Sequence, residues 1–281
     1  MAVRRRLGEM ELLIVSDGVW WQDAGAVFGI TPRAVWEPLA GPLDEQHRMP
    51  MGLNCLVART QGKTIIIETG CGNKPVGIPT VDLSGVGKLL EDLGREGVRP
   101  EDVDVVISSH LHFDHAGWNT VLQDGKPVPT FPRARYFFQK GEWEAAQHTN
   151  ERTRAIYQRE NLEPLADAGL VELVEGEAAV MKGVRIVPAP GHTAHHIVVE
   201  LESQGELLIY LGDLVAHPIM MERIAWISAY DVLPLVTLET KKRVIERALE
   251  KRALLVSAHA PYPGLGRLLL EEGKRRWEAI E

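Results

Sequence analysis

The sequence has few cysteines, no long apolar run and no excess of positive charge. Its two cysteines, Cys55 and Cys71, form no Cys-x-x-Cys pair and are too few for a disulfide framework. The sequence therefore favours a reducing cytoplasm as its compartment. The formal net charge of −8 disfavours nucleic acid as a partner, because nucleic-acid binding relies on a positive field.

No segment predicts a membrane span or an export signal. No apolar run approaches the ~18 residues that a transmembrane helix needs. Residues 4–6 are basic, as at the start of a signal peptide, but Gly8, Glu9 and Glu11 interrupt the apolar stretch that would have to follow. With 281 residues, of which 45% are hydrophobic, we expect one cytoplasmic domain over residues 1–281, without a membrane partner.

The most informative stretch runs from Ile107 to Gly117. It places three histidines and an aspartate within six residues: His110, His112, Asp114 and His115. The largely apolar run before it is typical of a buried strand, so the cluster is expected in the loop where that strand ends. Side chains two apart in an extended segment point to the same side, so His110 and His112 can bind one metal ion. Asp114 and His115 follow at a tighter turn and can point to a second ion nearby.

Residues of the same ligand types recur downstream. His192 lies in a Pro-Gly turn, Asp213 ends the buried-type run that begins at Leu207, and His259 ends the run that begins at Leu254. An aspartate at the end of a buried strand is costly unless it is paired or bound to a metal. Imidazole together with carboxylate suits zinc, iron, manganese or cobalt rather than calcium or magnesium.

Two further residues are candidates for holding the ligands in place. Glu68, at the end of a predicted strand, is expected to fix a ligand imidazole in one tautomer. His196, at the start of another predicted strand, either supports the site in the same way or serves only as a strand residue. Both alternatives for His196 remain open from the sequence.

The periodicity of the chain predicts alternating strands and helices. Strands are predicted at residues 11–17, 53–59, 63–68, 103–107, 134–138, 170–174, 184–187, 196–201, 207–211 and 254–259. Helices are predicted at residues 83–93, 238–249 and 265–277, with one or two more within 141–157. Residues 117–165 are expected to cover the site as an insertion. This order indicates a mixed sheet with helices packed outside it.

The aromatic residues near the N-terminus have no sustained period. Trp20, Trp21, Phe28 and Trp36 lie in a stretch rich in Gly and Pro. They form either a satellite hydrophobic cluster or an apolar wall of a substrate pocket. A contact in a homodimer is a third use for the same surface.

These motifs resemble those of the metallo-β-lactamase superfamily. The shared motifs, in chain order, are Glu68-Thr-Gly70, the His-x-His-x-Asp-His motif of residues 110–115, Gly191-His-Thr193, Gly212-Asp213 and a late strand-end histidine, His259. The resemblance covers roughly residues 50–260. It implies an α/β fold, a four-layer αββα sandwich of two mixed β-sheets flanked by helices.

The resemblance also implies the roles of the ligands. His110, His112 and His192 would bind one metal ion. Asp114, His115 and His259 would bind another, and Asp213 would bridge the pair. The implied cofactors are two divalent metal ions, with zinc first and iron, manganese or cobalt as alternatives.

A site of this kind implies a hydrolase acting on a small molecule. A hydroxide that bridges the metals would attack a lactone or ester carbonyl, and Asp114 or Asp213 would carry the proton to the leaving group. Residues 131–136 and the pair Glu142-Trp143 look most like the branch that contains quorum-quenching lactonases and enzymes similar to methyl parathion hydrolase. Acyl-homoserine lactonases often have a tyrosine three residues after the bridging aspartate, where this chain has Ala216. A glyoxalase II-like thioesterase and a diiron redox protein are the alternatives.

Overall fold

Two seven-stranded sheets form the centre of the protein, in a computed structural model that describes residues 2–78 and 82–281. In chain order the strands are β1 (Val3–Leu7), β2 (Met10–Asp23), β3 (Arg48–Thr60), β4 (Lys63–Ile67), β5 (Val105–Ile107), β6 (Thr120–Gln123), β7 (Lys126–Pro129), β8 (Arg135–Gln139), β9 (Val171–Val174), β10 (Ala178–Met181), β11 (Val184–Pro188), β12 (Ile197–Ser203), β13 (Glu206–Tyr210), β14 (Leu254–Val256), β15 (Leu265–Glu271) and β16 (Lys274–Ala279). The α-helices are α1 (Ala24–Phe28), α2 (Arg33–Trp36), α3 (Leu89–Arg95), α4 (Phe113–Ala116), α5 (Lys140–Gln147), α6 (Glu163–Asp167), α7 (Ile219–Glu222) and α8 (Pro234–Lys251).

Both large sheets are mixed. The first has the order β1-β2-β3-β4-β5-β8-β9, and its last three pairings are parallel. The second runs from β10 to β16 in sequence order, with one parallel pair, β13 and β14. Parallel neighbours need a crossover connection, and α8 is the crossover between β13 and β14. Strands β6 and β7 form a separate small hairpin.

The alternation of side chains along β2 shows how the layers are divided. Leu12 and Ile14 lie in the core between the two sheets. Leu13 and Val15 point to the opposite face and pack with Leu89 and other apolar residues of the outer layer. Successive side chains of a strand point to opposite faces, so a strand that is apolar at every position is buried on both sides.

The second sheet is covered in the same manner. Val244 and Ile245 of α8 belong to one buried cluster with Val198, Ile209 and Leu255 of the sheet. The order of layers is therefore helix, sheet, sheet, helix, which confirms the predicted αββα sandwich. Within the described ranges, no helix has both the length and the apolar character that crossing a bilayer requires.

The prediction of a closing helix over residues 265–277 is wrong. This segment is the hairpin of β15 and β16, in which Leu268 pairs with Trp277. The turn is formed by Glu272 and Gly273, at φ values of 50° and 76°, which lie in the left-handed region. Three consecutive leucines suit a helix, but pairing with β14 adds this segment to the sheet and outweighs the local propensity.

Several predicted boundaries also differ from the structure. The strand predicted to end at Asp17 continues through a bulge between Ser16 and Val19 and ends at Asp23. The helix predicted over residues 83–93 occupies Leu89–Arg95. Within residues 141–157, only the part up to Gln147 is helical, and turns follow it.

Candidate metal centre

The seven side chains that the sequence assigns to metal binding meet in two groups. They come from the segments that follow β5, β11, β13 and β14. Within each group the ligand atoms all lie within 4.8 Å of one another. The first group is His110, His112 and His192, and the second is Asp114, His115, Asp213 and His259.

The first group consists of three buried imidazoles. His112 Nδ1 lies 3.0 Å from His110 Nε2 and 3.2 Å from His192 Nε2. The pKa of His110 and that of His112 both lie well below the usual range. Burial is the largest cause, and the neighbouring imidazoles lower both pKa values further. Both rings are therefore neutral, which is the form of imidazole that binds a metal ion.

The second group combines imidazole and carboxylate. His115 Nε2 lies 3.2 Å from Asp114 Oδ2 and 3.2 Å from Asp213 Oδ1, and His259 Nε2 lies 2.9 Å from Asp213 Oδ1. Burial lowers the pKa of His115, but Asp114, Asp213 and Glu68 outweigh it and raise this pKa well above its ordinary value. The negative field that holds a proton on this ring also attracts a metal cation.

Two atoms of the second group show that the residues fit a metal ion. His115 Nε2 and Asp213 Oδ1 are buried, and although ligand-type atoms lie within 3.2 Å of each, none of these contacts has the geometry of a hydrogen bond. Buried polar atoms are normally paired, and an ion explains such exceptions. Nitrogen and oxygen donors of this kind are the ligands that zinc and its first-row neighbours prefer.

Asp213 faces both groups. Its Oδ2 lies 3.3 Å from His192 Nε2 of the first group, while its Oδ1 contacts the second group. The residue lies in the short turn Gly212–Leu214, where Gly212 has a φ of 51°. A Cβ atom on Gly212 would lie 2.5 Å from Ser109 Oγ and 2.6 Å from His196 Nε2. Only glycine allows the chain to turn here and present the aspartate between the two groups.

Glu68 and His196 both contact candidate ligand residues. Glu68 Oε2 lies 2.9 Å from His115 Nδ1, and Glu68 Oε1 accepts a hydrogen bond of 2.6 Å from the Ser109 N–H. His196 Nε2 accepts from the Asp213 N–H at 3.0 Å, and its Nδ1 lies 3.1 Å from the Ala189 carbonyl. Burial lowers the pKa of His196 to about 3, so this ring remains neutral and can accept that bond.

A pocket of about 370 Å³ opens onto both groups. The ligand-type residues that line it are His112, Asp114, His192, Asp213 and His259. Its walls are mainly apolar, formed by Trp20, Val27, Met51, Ile78, Phe113, Ile156, Ala216 and Val232, with the polar residues Gln22, Arg152, Thr153 and Tyr230. A mostly apolar cavity with a few polar groups is typical of a site for a small organic molecule.

The N-terminal aromatic residues have two of the roles that the sequence left open. Trp20 is part of the pocket wall and packs edge-on against Phe113, with ring centroids 5.5 Å apart. Phe28 stacks on Trp36 with centroids 4.9 Å apart, as in a hydrophobic cluster. The predicted covering segment also reaches the pocket, through residues 152–156.

Comparison with known proteins shows the family to which the chain belongs. Residues 49–262 match the sequence pattern of the metallo-beta-lactamase superfamily. The chain belongs to this superfamily.

Several named proteins resemble the chain in sequence or in structure. An N-acyl homoserine lactonase from a Bacillus species is 30% identical over 169 residues, which are 55% of this chain and 61% of that protein. The match thus spans about three fifths of the relative's length. A probable metal-dependent hydrolase from Staphylococcus aureus has a TM-score of 0.86 at 23% identity, covering 99% of each chain. The dizinc quorum-quenching lactonase AidC has a TM-score of 0.83 at 22% identity, covering 100% of this chain and 97% of its own. The two structures confirm the superfamily fold.

Asp231 supports the first group of this superfamily site and was not predicted. Its Oδ1 lies 3.1 Å from His192 Nδ1, and its Oδ2 accepts a hydrogen bond of 2.7 Å from the Thr237 hydroxyl. A carboxylate behind a ligand imidazole fixes the tautomer and raises the basicity of the ring. In the sequence, Asp231 is only an acidic residue three positions before Pro234. Acidic residues are common at the starts of helices, so this pattern does not indicate a site.

Asp17 is a second residue that sequence reasoning missed. The carboxylate is fully buried and accepts hydrogen bonds from the N–H groups of Cys71, Gly72 and Leu89 and from Trp118 Nε1, at 2.7–3.1 Å. Burial raises its pKa to about 6 although all four donors lower it. Asp17 thus joins the loop after β4 to α3 and to the segment that follows the histidine motif. In the sequence, the dipeptide Asp17-Gly18 indicates only a turn.

Proposed function

We propose that this chain is a dinuclear-metal hydrolase that opens the ring of a lactone, with N-acyl homoserine lactones as the leading substrate class. The observation that carries the proposal is the position of Asp213, which lines a mainly apolar pocket and whose two oxygens face two separate ligand groups. The relatives named N-acyl homoserine lactonases support the substrate class.

Each ligand group would hold one ion. His110, His112 and His192 would hold the first, and Asp114, His115 and His259 the second, with Asp213 between them. Zinc is the ion that we propose first, since imidazole and carboxylate donors in this number suit it, and iron, manganese and cobalt follow. When bound, two divalent ions would supply an activated water and a Lewis acid for the substrate carbonyl.

The pocket carboxylates would move the proton. Burial raises the pKa of Asp114, but His115 and His259 outweigh it and bring this pKa below its ordinary value. Asp114 is therefore a carboxylate at neutral pH and can act as a general base. In the proposed reaction it takes the proton that the attacking water loses and returns it to the ring oxygen as the acyl C–O bond breaks. Water is thus added across that bond, and the product is a hydroxy acid.

The walls of the pocket would select the substrate. Trp20, Phe113 and Val232 present apolar surface to an acyl chain. The Tyr230 hydroxyl donates a 2.8 Å hydrogen bond to Gln22 Oε1, and both side chains line the pocket. This pair offers a donor and an acceptor for a substrate amide, so the pocket suits an N-acylated lactone.

The proposal is tested by substrate turnover of the metal-loaded protein, followed by proton release. The panel contains acyl-homoserine lactones, simple γ- and δ-lactones, an aryl ester, a glutathione thioester and a phosphotriester. Asp213→Asn should lower lactone turnover by at least about 100-fold, because it weakens the shared ligand. Asp124→Asn, the same change at an exposed position, should leave turnover as in the wild type. Turnover of the thioester alone would replace the proposal with a thioesterase.

A further inference from the structure

A buried carboxylate outside the candidate ligand set joins three segments of the site. Glu142, in α5, is 1% exposed. Its Oε1 accepts hydrogen bonds from the Leu111 N–H at 3.2 Å and from the Tyr157 hydroxyl at 2.7 Å. Its Oε2 accepts a 2.6 Å bond from the Thr193 hydroxyl. Leu111 lies between two candidate ligands in the sequence, and Thr193 directly follows a third.

The three hydrogen-bond donors stabilise the buried carboxylate of Glu142. Removing a carboxylate from water is costly unless its oxygens are hydrogen-bonded or paired with a cation. In the described part of the chain, no lysine or arginine forms an ion pair with Glu142. The hydrogen bonds from Leu111, Tyr157 and Thr193 therefore fix the position of the Glu142 carboxylate. The same bonds hold these three residues close to one another.

Tyr157 extends this network to the covering segment and to a candidate ligand. Its ring packs against the His112 ring with centroids 5.0 Å apart at an angle of 69°. Its hydroxyl is the donor of the 2.7 Å hydrogen bond to Glu142 Oε1. Glu142 thus contacts the backbone beside His112, the tyrosine that packs on the His112 ring, and the threonine beside His192.

We infer that Glu142 is a positioning residue for the metal position formed by His110, His112 and His192. It holds the loop with His112 and the loop with His192 at a fixed separation, so that their ring nitrogens converge. This inference rests on the proposed dinuclear function. The other group has its own supporting carboxylate, Glu68, on the far side of His115. Loss of Glu142 therefore weakens one of the two metal positions and leaves the other unchanged.

The test is stepwise metal binding by purified full-length variants. Glu142→Gln keeps the shape of the side chain, but its NH2 group faces a donor instead of accepting from it. Apo-protein is titrated with Co²⁺ against a chromophoric chelator, and the absorption spectrum of each bound ion is recorded. Glu142→Gln should bind one ion with wild-type affinity and the other about 10–100-fold more weakly, with a changed spectrum for the weaker ion only.

Two further variants keep the test decisive. Glu144→Gln is the matched control, because it makes the same change two residues along the same helix at an exposed position. It should bind both ions as the wild type does. Tyr157→Phe removes one of the three donors and retains the ring, so it tests the network if Glu142→Gln does not fold. It should weaken the same ion by a smaller factor.

Other results would overturn the inference. If Glu142→Gln binds both ions with wild-type affinities and spectra, Glu142 does not position the ligands. If both ions are weakened by the same factor, its role is general stability. A wild-type protein that binds only one ion would contradict the dinuclear proposal. The inference would then stand if Glu142→Gln weakens that ion and fail if it does not.

Discussion

Two substitutions of Asp231 distinguish the contribution of its negative charge from the contribution of its hydrogen bond to His192. Asp231 Oδ1 lies 3.1 Å from His192 Nδ1, and His192 Nε2 points into the first ligand group. In Asp231→Asn the amide oxygen can still accept from His192, while the Thr237 hydroxyl turns to accept from the NH2 group. In Asp231→Ala, His192 Nδ1 loses this partner, and the orientation of the ring is less firmly fixed.

The expected magnitudes follow from these contacts. A hydrogen bond to a charged group contributes about 1.5–3 kcal/mol and a neutral one about 0.5–1.5 kcal/mol. Asp231→Asn should therefore cost about 1.4 kcal/mol, or tenfold in affinity for the ion at His110, His112 and His192. Asp231→Ala should cost about 2–3 kcal/mol, or roughly 30–150-fold, because the whole contact is lost.

The assay is competition with a chelator for each bound ion, together with kcat/KM for the best lactone. Asp167→Asn, at an exposed position, is the control. Both the affinity for this ion and kcat/KM should decrease in the order wild type, Asp231→Asn, Asp231→Ala. Equal affinities in the wild type and Asp231→Ala would refute the reasoning, as would an Asn variant no better than Ala.

Three other predictions concern stability. Asp17→Asn should lower the free energy of unfolding at pH 7 by about 2–3 kcal/mol, since an amide NH2 would face two of the four N–H donors around this position; an unchanged denaturation midpoint would contradict this. Burial lowers the pKa of Lys241 from 10.5 to about 7, so the unfolded chain binds more protons between these values and stability rises with pH. The free energy of unfolding relative to Lys241→Met should rise by up to about 3 kcal/mol from pH 7 to 9.5, and a flat difference would argue against it. Removal of metal by a chelator should abolish hydrolysis and lower the thermal midpoint by several degrees, because an ion bound at 1,000 times its Kd contributes about 4 kcal/mol; an unchanged midpoint would show that these residues hold no ion.

The candidate ligands could be predicted because each lies in a short motif at the end of a strand. His110 and His112 are two residues apart, and His192 and Asp213 each follow a glycine. Such spacing fixes the direction of a side chain from local geometry alone. The four layers of the fold could be predicted only through the family resemblance, because the order of apolar runs and helical segments by itself indicates no more than a mixed sheet with helices packed outside it.

Three other buried carboxylates, unlike Glu68, could not be predicted in the same way. Asp17 accepts from Leu89, Glu142 from Leu111, and Asp231 contacts His192, so each partner lies more than 30 residues away or in another element. A buried carboxylate and a solvated one have the same local sequence, because burial depends on which elements pack together. Asp231 and Asp17 were therefore missed. Glu142 was noted only as part of a family resemblance.

The wrong prediction of a helix over residues 265–277 has a related cause. The residues after Leu265 have good helix propensity, and their apolar positions suit a helix as well as a strand. The neighbouring strand β14 decides between them, because it offers a free edge with which β15 pairs. Gly273 was the local signal for a turn, since glycine within a helix is unfavourable.

The measurement that tests the central claim most directly is the rate of lactone opening as metal is added back to the apo-protein. Bound metal per chain is determined by mass spectrometry at each point of the titration. The account predicts that turnover of an N-acyl homoserine lactone reaches its maximum at two ions per chain and not before. Maximal turnover at one ion, or no lactone turnover with two ions bound, would contradict it.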